Sequence, residues 1–479
     1  MHPITSDRAW PLFDVAATRR IEQAAAAQLL PYTLMQRAGL AVARLALAIA
    51  PHAQTIWVAC GPGNNGGDGL EAAVHLKRWG KQPVVTWLGD EATAPPDALA
   101  SLRQAQGAGV AFSSQPPPQC QLVIDALLGI GSSRPLEGRM AQWAALINAR
   151  QAPVLSVDVP SGLNADTGSG HGVRASHTLS LLGLKPGLFT AGGRDACGTV
   201  WLDDLALAPS DEPSAWLGGP PASQARPHVS HKGSFGDVAV IGGAAGMTGA
   251  ALLAASAALH GGAGRVFVAL LDGGGMTVDA PQPELMFRPW DSLDLAALHV
   301  ACGCGGGDAV KATLPKVLST ARSLVLDADA LNALAADSAL QSLLQARSRR
   351  EGRATVLTPH PLEAARLLGS TTAQVQADRL AAVRELAQRF GCVVLLKGSG
   401  TVVAAANRAP MINPTGNARL ATAGTGDVLA GMIAARLAQG AAPFEAAAAA
   451  AYAHGAAADR WPEGRALSAS ELARSAYHY

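Results

Sequence analysis

Short apolar runs of three to six residues recur along this chain, and helical stretches separate them. This alternation is the strongest constraint on the fold. Strands that are apolar on both faces must be covered on both, which calls for a largely parallel sheet with helices on each side. In the N-terminal half the runs are Thr55–Ala59, Pro83–Leu88, Gln121–Ile124 and Pro153–Val157. Helical patterns precede them at Thr18–Leu30 and Leu34–Ala50, and intervene at Leu70–Trp79, Asp97–Ala105 and Met140–Ala149. In the C-terminal half the runs are Val238–Ile241, Arg265–Ala269, His299–Ala301, Leu324–Leu326, Thr355–Leu357 and Val393–Leu396. Helices are predicted there at Gly249–His260, Thr371–Arg389, Thr425–Gln439 and Phe444–Arg460. In such sheets ligands bind outside the carboxyl ends of the strands. The residues that follow each strand therefore carry the functional information.

Composition narrows the classes. Glycine (52) and proline (30) make up about 17% of the 479 residues, against a usual ~12%. With 49% hydrophobic residues, extensive disorder is excluded. Glycine has no three-residue period, which excludes collagen. The charge balance is 37 basic to 36 acidic, and no basic run exceeds two residues, as at Arg349–Arg350. Nucleic acid is thus not an expected partner. There are only seven lysines, so a lysine inside a glycine-rich motif is informative. No apolar stretch reaches the ~18 residues of a membrane span, and the N-terminus lacks the order of a signal peptide. Six cysteines without a CxxC pair read as buried thiols in a reducing cytoplasm. Residues 209–227 hold five prolines and no apolar period, a linker signature. The expected domains are 1–215 and 222–479.

The first strand runs into Gly61-PGNNGGDG-Leu70. Its glycines allow tight turns and present N–H groups, and a helix follows at once, as in anion-binding loops. No GK[ST] follows, so it is not a Walker A loop, and Asn64, Asn65 and Asp68 add side-chain oxygens suited to a hydroxylated ligand or a hard cation. Asp125 ends the third run and leads to Gly129, Gly131 and Arg134; Asp158 and Ser161 follow the fourth. Each Asp alone could cap a helix. Together, three loops bring acids and amides to one sheet edge. Asp125, the Asn65 amide and the Ser161 hydroxyl form a candidate cation set, with Asp158 placed to hold ligand hydroxyls.

GPGNNGGDGL, DALLGIG and DVPSGLNADTG resemble the NAD(P)H-hydrate epimerase family over most of residues 10–205. The resemblance implies a three-layer Rossmann-like domain and a first substrate loop of Asn64, Asn65, Gly66, Gly67 and Asp68. It implies a second loop of Gly129, Ile130, Gly131, Ser132, Ser133, Arg134 and Pro135, with Asp158 as a further substrate contact. A potassium ion is implied at Asn65, Asp125 and Ser161. The family reaction inverts the hydroxyl-bearing carbon of a hydrated nicotinamide ring. Proton transfer needs a positioned carboxylate; Asp125 is the first candidate and Asp68 the second. Lys185, in LLGLKPGLFTAGG, is either a core-edge residue or a contact to substrate phosphate.

In the second half, Gly424-Thr425-Gly426 leads directly into a helix with Asp427 in its first turn. Amides at a helix start hold phosphate and stabilise charge in phosphoryl transfer, and an adjacent Asp can take a proton from an attacking hydroxyl. Alternatively, Asp427 is a dipole-pairing acid. His360 follows one strand in TPHPLE, and Lys397 opens the turn of a predicted hairpin, KGSGT.

GTGD resembles the signature of ribokinase-like kinases. Combined with His360 and Lys397 it resembles the ADP-dependent NAD(P)H-hydrate dehydratase family over residues ~225–479. The resemblance implies a ribokinase-like α/β domain, also with a mostly parallel sheet. It implies hydrate contacts from Ala250, Gly305, His360 and Asp427, with Asp427 as catalytic base. Lys397, Gly398, Ser399, Gly400, Thr401 and Gly426 would hold ADP, with or without magnesium. Two departures stand out: Cys304 where the family often has Pro, and Leu362 where it has Gly.

The domain order matches the bifunctional NAD(P)H-hydrate repair family, with NAD(P)HX and ADP as ligands and a homo-oligomer expected. Two rivals share parts of the pattern. A vitamin or sugar kinase fused to a sensor domain predicts a phosphorylated product that persists. A non-catalytic nucleotide-binding module predicts a lost base or a broken glycine loop, yet Asp427, Asp125 and Asn64–Asn65 are all present.

Overall fold

The computed structural model describes residues 1–131, 135–222 and 227–475. The chain divides into two compact units. One comprises Met1–Thr5 and Trp10–Trp216; the other comprises Ser6–Ala9 and the chain from Leu217 onward.

The first unit is built on an eight-stranded sheet. Thr55–Cys60 lies between Gln82–Trp87 on one side and Leu122–Ala126 on the other, and all three are parallel. Val154–Val157, His177–Leu181 and Thr199–Asp203 extend the sheet in parallel, and only His2–Pro3 runs antiparallel. The chain thus leaves Thr55–Cys60 toward one edge and returns on its other side. This is a topological switch point, where a crevice opens beyond the strand ends. The loops after Cys60 and Ala126 flank it.

In the second unit Asp237–Gly242 takes the corresponding position, between Arg265–Leu270 and His299–Cys302. Ser323–Leu326, Thr355–Leu357 and Val393–Leu396 continue in parallel, and Val402–Ala404 and Met411–Ile412 are antiparallel. The predicted hairpin around KGSGT is therefore present. Thr248–His260, Thr425–Ala438 and Pro443–Asp459 are alanine-rich and apolar on most faces, as expected of helices enclosed by other elements.

Four sequence expectations change. The helix after the first strand begins at Asn64, not near Leu70. Gly66 and Gly67 are therefore spacers within it: a methyl group on Gly66 would sit 2.1 Å from the Gly61 carbonyl oxygen, and one on Gly67 would sit 2.7 Å from Met35 Cε. The stretch predicted as one helix over Thr371–Arg389 is two, Thr372–Ala377 and Arg379–Phe390; the Asp378 carboxylate caps the second by accepting from Ala381 N. The strands His177–Leu181 and Thr199–Asp203 are additional. The proline-rich segment contains a short strand, Ala215–Leu217.

Two candidate active sites

In the first unit a cavity of about 450 Å³ opens at the switch point. Its wall carries Asn64, Asn65 and Asp68 from the first loop and Gly129, Ile130 and Gly131 from the second. Asp158, Lys185, Asp97 and, from the helix Val15–Ala26, Thr18, Arg19 and Glu22 add to its polar lining. Gly66 and Gly67 are buried behind the wall, and Pro135 is exposed away from it. Ser132, Ser133 and Arg134 lie outside the described residues.

Lys185 is fully buried. Its ammonium donates to Asp158 Oδ1 and, at 2.7 Å, to the Leu181 carbonyl. Of the two readings for Lys185, core-edge residue or contact to substrate phosphate, neither included the role it has here as the buried cation that pairs Asp158 on the cavity wall. Asp158 itself holds a left-handed backbone, φ 69°, a conformation that is costly for a residue with a side chain and that clusters at functional sites. Burial and the negative charges of Asp158, Glu22 and Glu71 push the Asp68 carboxyl well above the usual range, outweighing Lys185. Asp68 and the Lys185–Asp158 pair line the same cavity, so a carboxyl raised by burial shares it with a carboxylate held by a buried ammonium.

Asp125 takes a different position from the one expected of a proton carrier. It is 0% exposed and does not line the cavity. Its oxygens accept from Ser161 Oγ (2.6 Å), Ser156 Oγ (2.8 Å) and Ser161 N (3.0 Å). With both oxygens committed, Asp125 cannot exchange protons with a ligand in the cavity. Its group instead joins Ser161, whose Oγ also accepts from Leu128 N at 2.9 Å. Next to that loop, Asn65 has a buried Nδ2 with no hydrogen-bond partner. The Asp125 carboxylate, the Ser161 hydroxyl and the Asn65 amide oxygen are hard oxygen groups of the kind that ligate an alkali cation, whereas the unpartnered Nδ2 hydrogens ligate none.

In the second unit Gly424, at φ 89°, starts the helix Thr425–Ala438, and no side chain caps that start. Thr425 N donates to the Thr422 carbonyl at 3.4 Å, and the amides after it, beginning with Gly426, are left for an anion. Asp427 occupies the first turn. Burial, reinforced by Asp327, raises its carboxyl to about 6. Lys397 Nζ is 2.6 Å from Asp327 Oδ1 and would be 3.3 Å from a methyl group on Gly426, so its charge stands beside the Gly-Thr-Gly amides. Behind the turn that follows, the buried Arg379 guanidinium donates to the carbonyls of Leu396 (3.1 Å) and Lys397 (3.2 Å). Thr401 Oγ1 closes the turn by donating to the Gly398 carbonyl at 3.1 Å. Beneath the helix start, His454 Nε2 lies 2.9 Å from the Thr425 carbonyl, and burial lowers its ring to about 4, keeping it neutral. Ala250 and Gly305 adjoin, since a methyl group on Gly305 would come within 2.9 Å of Ala250 Cβ.

His360 is more constrained than its position in the sequence suggests. Its Nδ1 accepts from Leu362 N (3.1 Å) and Glu363 N (3.3 Å), and its Nε2 is 3.2 Å from Glu363 Oε1. Both nitrogens serve the start of the helix Pro361–Leu368, so only the ring face is left for a ligand. Burial raises Glu363 to about 7. Cys304 Sγ and carboxylate oxygens of Asp327 and Asp427 lie within 4.8 Å of one another. This trio does not fit magnesium: a thiol is a poor ligand for it, and Asp327 is already paired with Lys397.

Asp327, Glu22 and His454 are site residues that sequence reasoning missed. Asp327 had a signal, since it directly follows the strand Ser323–Leu326. Glu22 and His454 sit within helices with no local motif to mark them.

A model of the NAD(P)H-hydrate dehydratase family matches residues 238–477, and one described as the YjeF-related protein N-terminus matches residues 31–187. The bifunctional NAD(P)H-hydrate repair enzyme Nnr of Escherichia coli (strain K12) is 38% identical over 455 residues, covering 89% of this chain and 85% of that relative. The ADP-dependent (S)-NAD(P)H-hydrate dehydratase of Neisseria meningitidis serogroup B is 49% identical over 261 residues, covering 53% of this chain and 86% of its own. Among solved structures, the ADP/ATP-dependent NAD(P)H-hydrate dehydratase of Bacillus subtilis, co-crystallised with ATP and magnesium, is 30% identical with a TM-score of 0.43, covering 53% of this chain and 91% of its own.

Proposed function

The chain belongs to the bifunctional NAD(P)H-hydrate repair enzymes, and from that premise we propose how its two sites share one task. The enzyme interconverts the R and S forms of NAD(P)HX and dehydrates the S form to NAD(P)H, converting ADP to AMP and phosphate. Residues 1–215 are assigned to the epimerase and 222–479 to the ribokinase-like dehydratase. The observation that carries this reading is Asp427, a half-buried base in the first turn of an uncapped helix, with Lys397 beside it.

In the dehydratase, Asp427 accepts the proton of the ring hydroxyl as its oxygen attacks the β-phosphorus of ADP. The bond to the bridging oxygen breaks and AMP leaves. The amide of Gly426, with Lys397 and the turn Gly398, Ser399, Gly400 and Thr401, stabilises the transferred phosphoryl group. The carbon–oxygen bond then breaks, with phosphate taking the electron pair and the ring nitrogen supplying one. Loss of a neighbouring ring proton restores the dihydropyridine. Ala250, Gly305 and the face of His360 bound the hydrate. Magnesium, where used, comes with the ADP phosphates, since Cys304, Asp327 and Asp427 do not make a cage for it.

In the epimerase, Asp68 is the proton donor and Asp158, paired with Lys185, the acceptor. Two carboxyl groups in unlike surroundings, Asp68 raised by burial and Asp158 held by the buried Lys185 ammonium, suit such a division. Asn64, Gly129, Ile130 and Gly131 line the substrate surface. Potassium would be held by Asn65, Asp125 and Ser161, fixing the loop after Ala126 against the first loop. Epimerisation should therefore be several-fold slower in a potassium-free lithium buffer, while dehydration of the S epimer is unchanged; equal epimerisation rates in the two buffers would remove the ion from the reading. All six cysteines are unpaired, in keeping with a cytoplasmic location.

The direct test supplies the purified protein with mixed NADHX epimers and ADP and follows the near-ultraviolet absorbance of NADH. Both epimers should be consumed to completion. No recovery with ADP or ATP sinks the reading, and accumulation of a stable phosphorylated product would favour the kinase alternative.

A further inference from the structure

The loop after the strand His299–Cys302 carries a thiol into the phosphoryl-transfer site. Cys304 is buried, and its Sγ lies within 4.8 Å of a carboxylate oxygen of Asp427. Its backbone has little freedom to withdraw. Gly303 and Gly305 on either side have φ values of 115° and 59°, a region closed to most residues. Side chains would not fit there: a methyl group on Gly303 would lie 2.0 Å from the Asp327 carbonyl oxygen, and one on Gly305 2.6 Å from that of Met247. The Cys304 carbonyl is fixed as well, accepting from Gly243 N at 2.9 Å. The sulfur is thus held against the base by a loop that admits only one path.

We propose that Cys304 is a positioning residue for Asp427, its S–H donating to the carboxylate and holding it in its ionised, proton-accepting state. The proposal rests on Asp427 being the dehydratase base. A proline at this position would leave that carboxylate without the donor.

Asp427 is faced by groups from every element around it. Asp327 follows Ser323–Leu326, and Asp329 begins the helix Asp329–Ala336. Both disfavour the anion, as does burial; Lys397, after Val393–Leu396, and the Cys304 thiol favour it. Removing the thiol therefore moves the base upward and delays its ionisation as pH rises. The sign is fixed: the anion is the working form, so activity is lost on the acid side and kept on the alkaline side.

The test compares wild type, Cys304→Ala and Cys304→Ser for S-epimer dehydration across pH 5.5 to 8.5 at roughly unit steps, a range chosen to bracket a carboxylate raised into the neutral region. In Cys304→Ala, kcat at the acid end should fall about three- to tenfold, converging on wild type at the alkaline end, since one pKa unit is a tenfold change in ionised fraction. Cys304→Ser keeps a donor and should return the acid limb most of the way. Epimerisation reports folding and should be unchanged in both variants. A Cys304→Ala profile that superimposes on wild type overturns the proposal, and so does an equal loss at every pH, which would mark a packing role. If wild type itself fails to dehydrate the hydrate, the parent reading falls instead.

Discussion

Asp427→Asn is expected to abolish ADP-dependent dehydration while epimers continue to interconvert. The amide preserves the size of the side chain but cannot take a proton, and loss of a positioned general base costs about 10²–10⁴-fold in rate. Wild-type dehydration should be about half-maximal near pH 6, rising toward a plateau above it and declining below it, as the Asp427 carboxyl, raised by burial, gains its proton. The measurement is NADH recovery from the S epimer, alongside chromatographic separation of the two epimers. Residual dehydration within tenfold of wild type would exclude Asp427 as the base. Loss of epimerisation in a folded variant would contradict two independent sites.

The second large effect is expected in the other unit. Asp68→Asn should slow interconversion by about 10²–10⁴-fold and leave S-epimer dehydration untouched. Burial and three nearby carboxylates push the Asp68 carboxyl upward, and an asparagine at that place can donate a hydrogen bond but transfers no proton. With excess ADP the S epimer would be consumed and the R epimer would remain. If both epimers are still consumed at the wild-type rate, the proton comes from elsewhere, with Glu22, also raised by burial, the next group on the cavity wall.

The fold was legible because both sheets are buried on both faces, so each strand shows as a short apolar run. The boundaries that shifted have local causes. The helix starting at Asn64 was hidden because its first two turns hold three glycines and two asparagines, residues whose backbone preferences argue for a loop. The sites were legible where one loop contains the chemistry, as in GTGD and GNNGGDG. They were not legible where function depends on pairs far apart in sequence. Lys397 and Asp327 are 70 residues apart, and the Lys185–Asp158 pair spans 27. Asp125 misled for a related reason. Its place at a strand end made it the first candidate for proton transfer, but Ser156 and Ser161 on the neighbouring strand and loop enclose it.

Arg379 gives the near-neutral composition a physical meaning. Its guanidinium never faces the ligand side of the phosphate turn, and burial lowers it only to about 10, so it stays charged. It donates to the Lys397 carbonyl, and the same peptide group presents the Gly398 N–H at the other end. Pulling electron density toward the oxygen leaves that N–H more positive, so the charge is relayed through a peptide dipole to the turn. A phosphate bound there would feel a cation without touching one. A surface lysine in its place would attract every passing anion. A hidden arginine lends its charge only to a group that fits the turn.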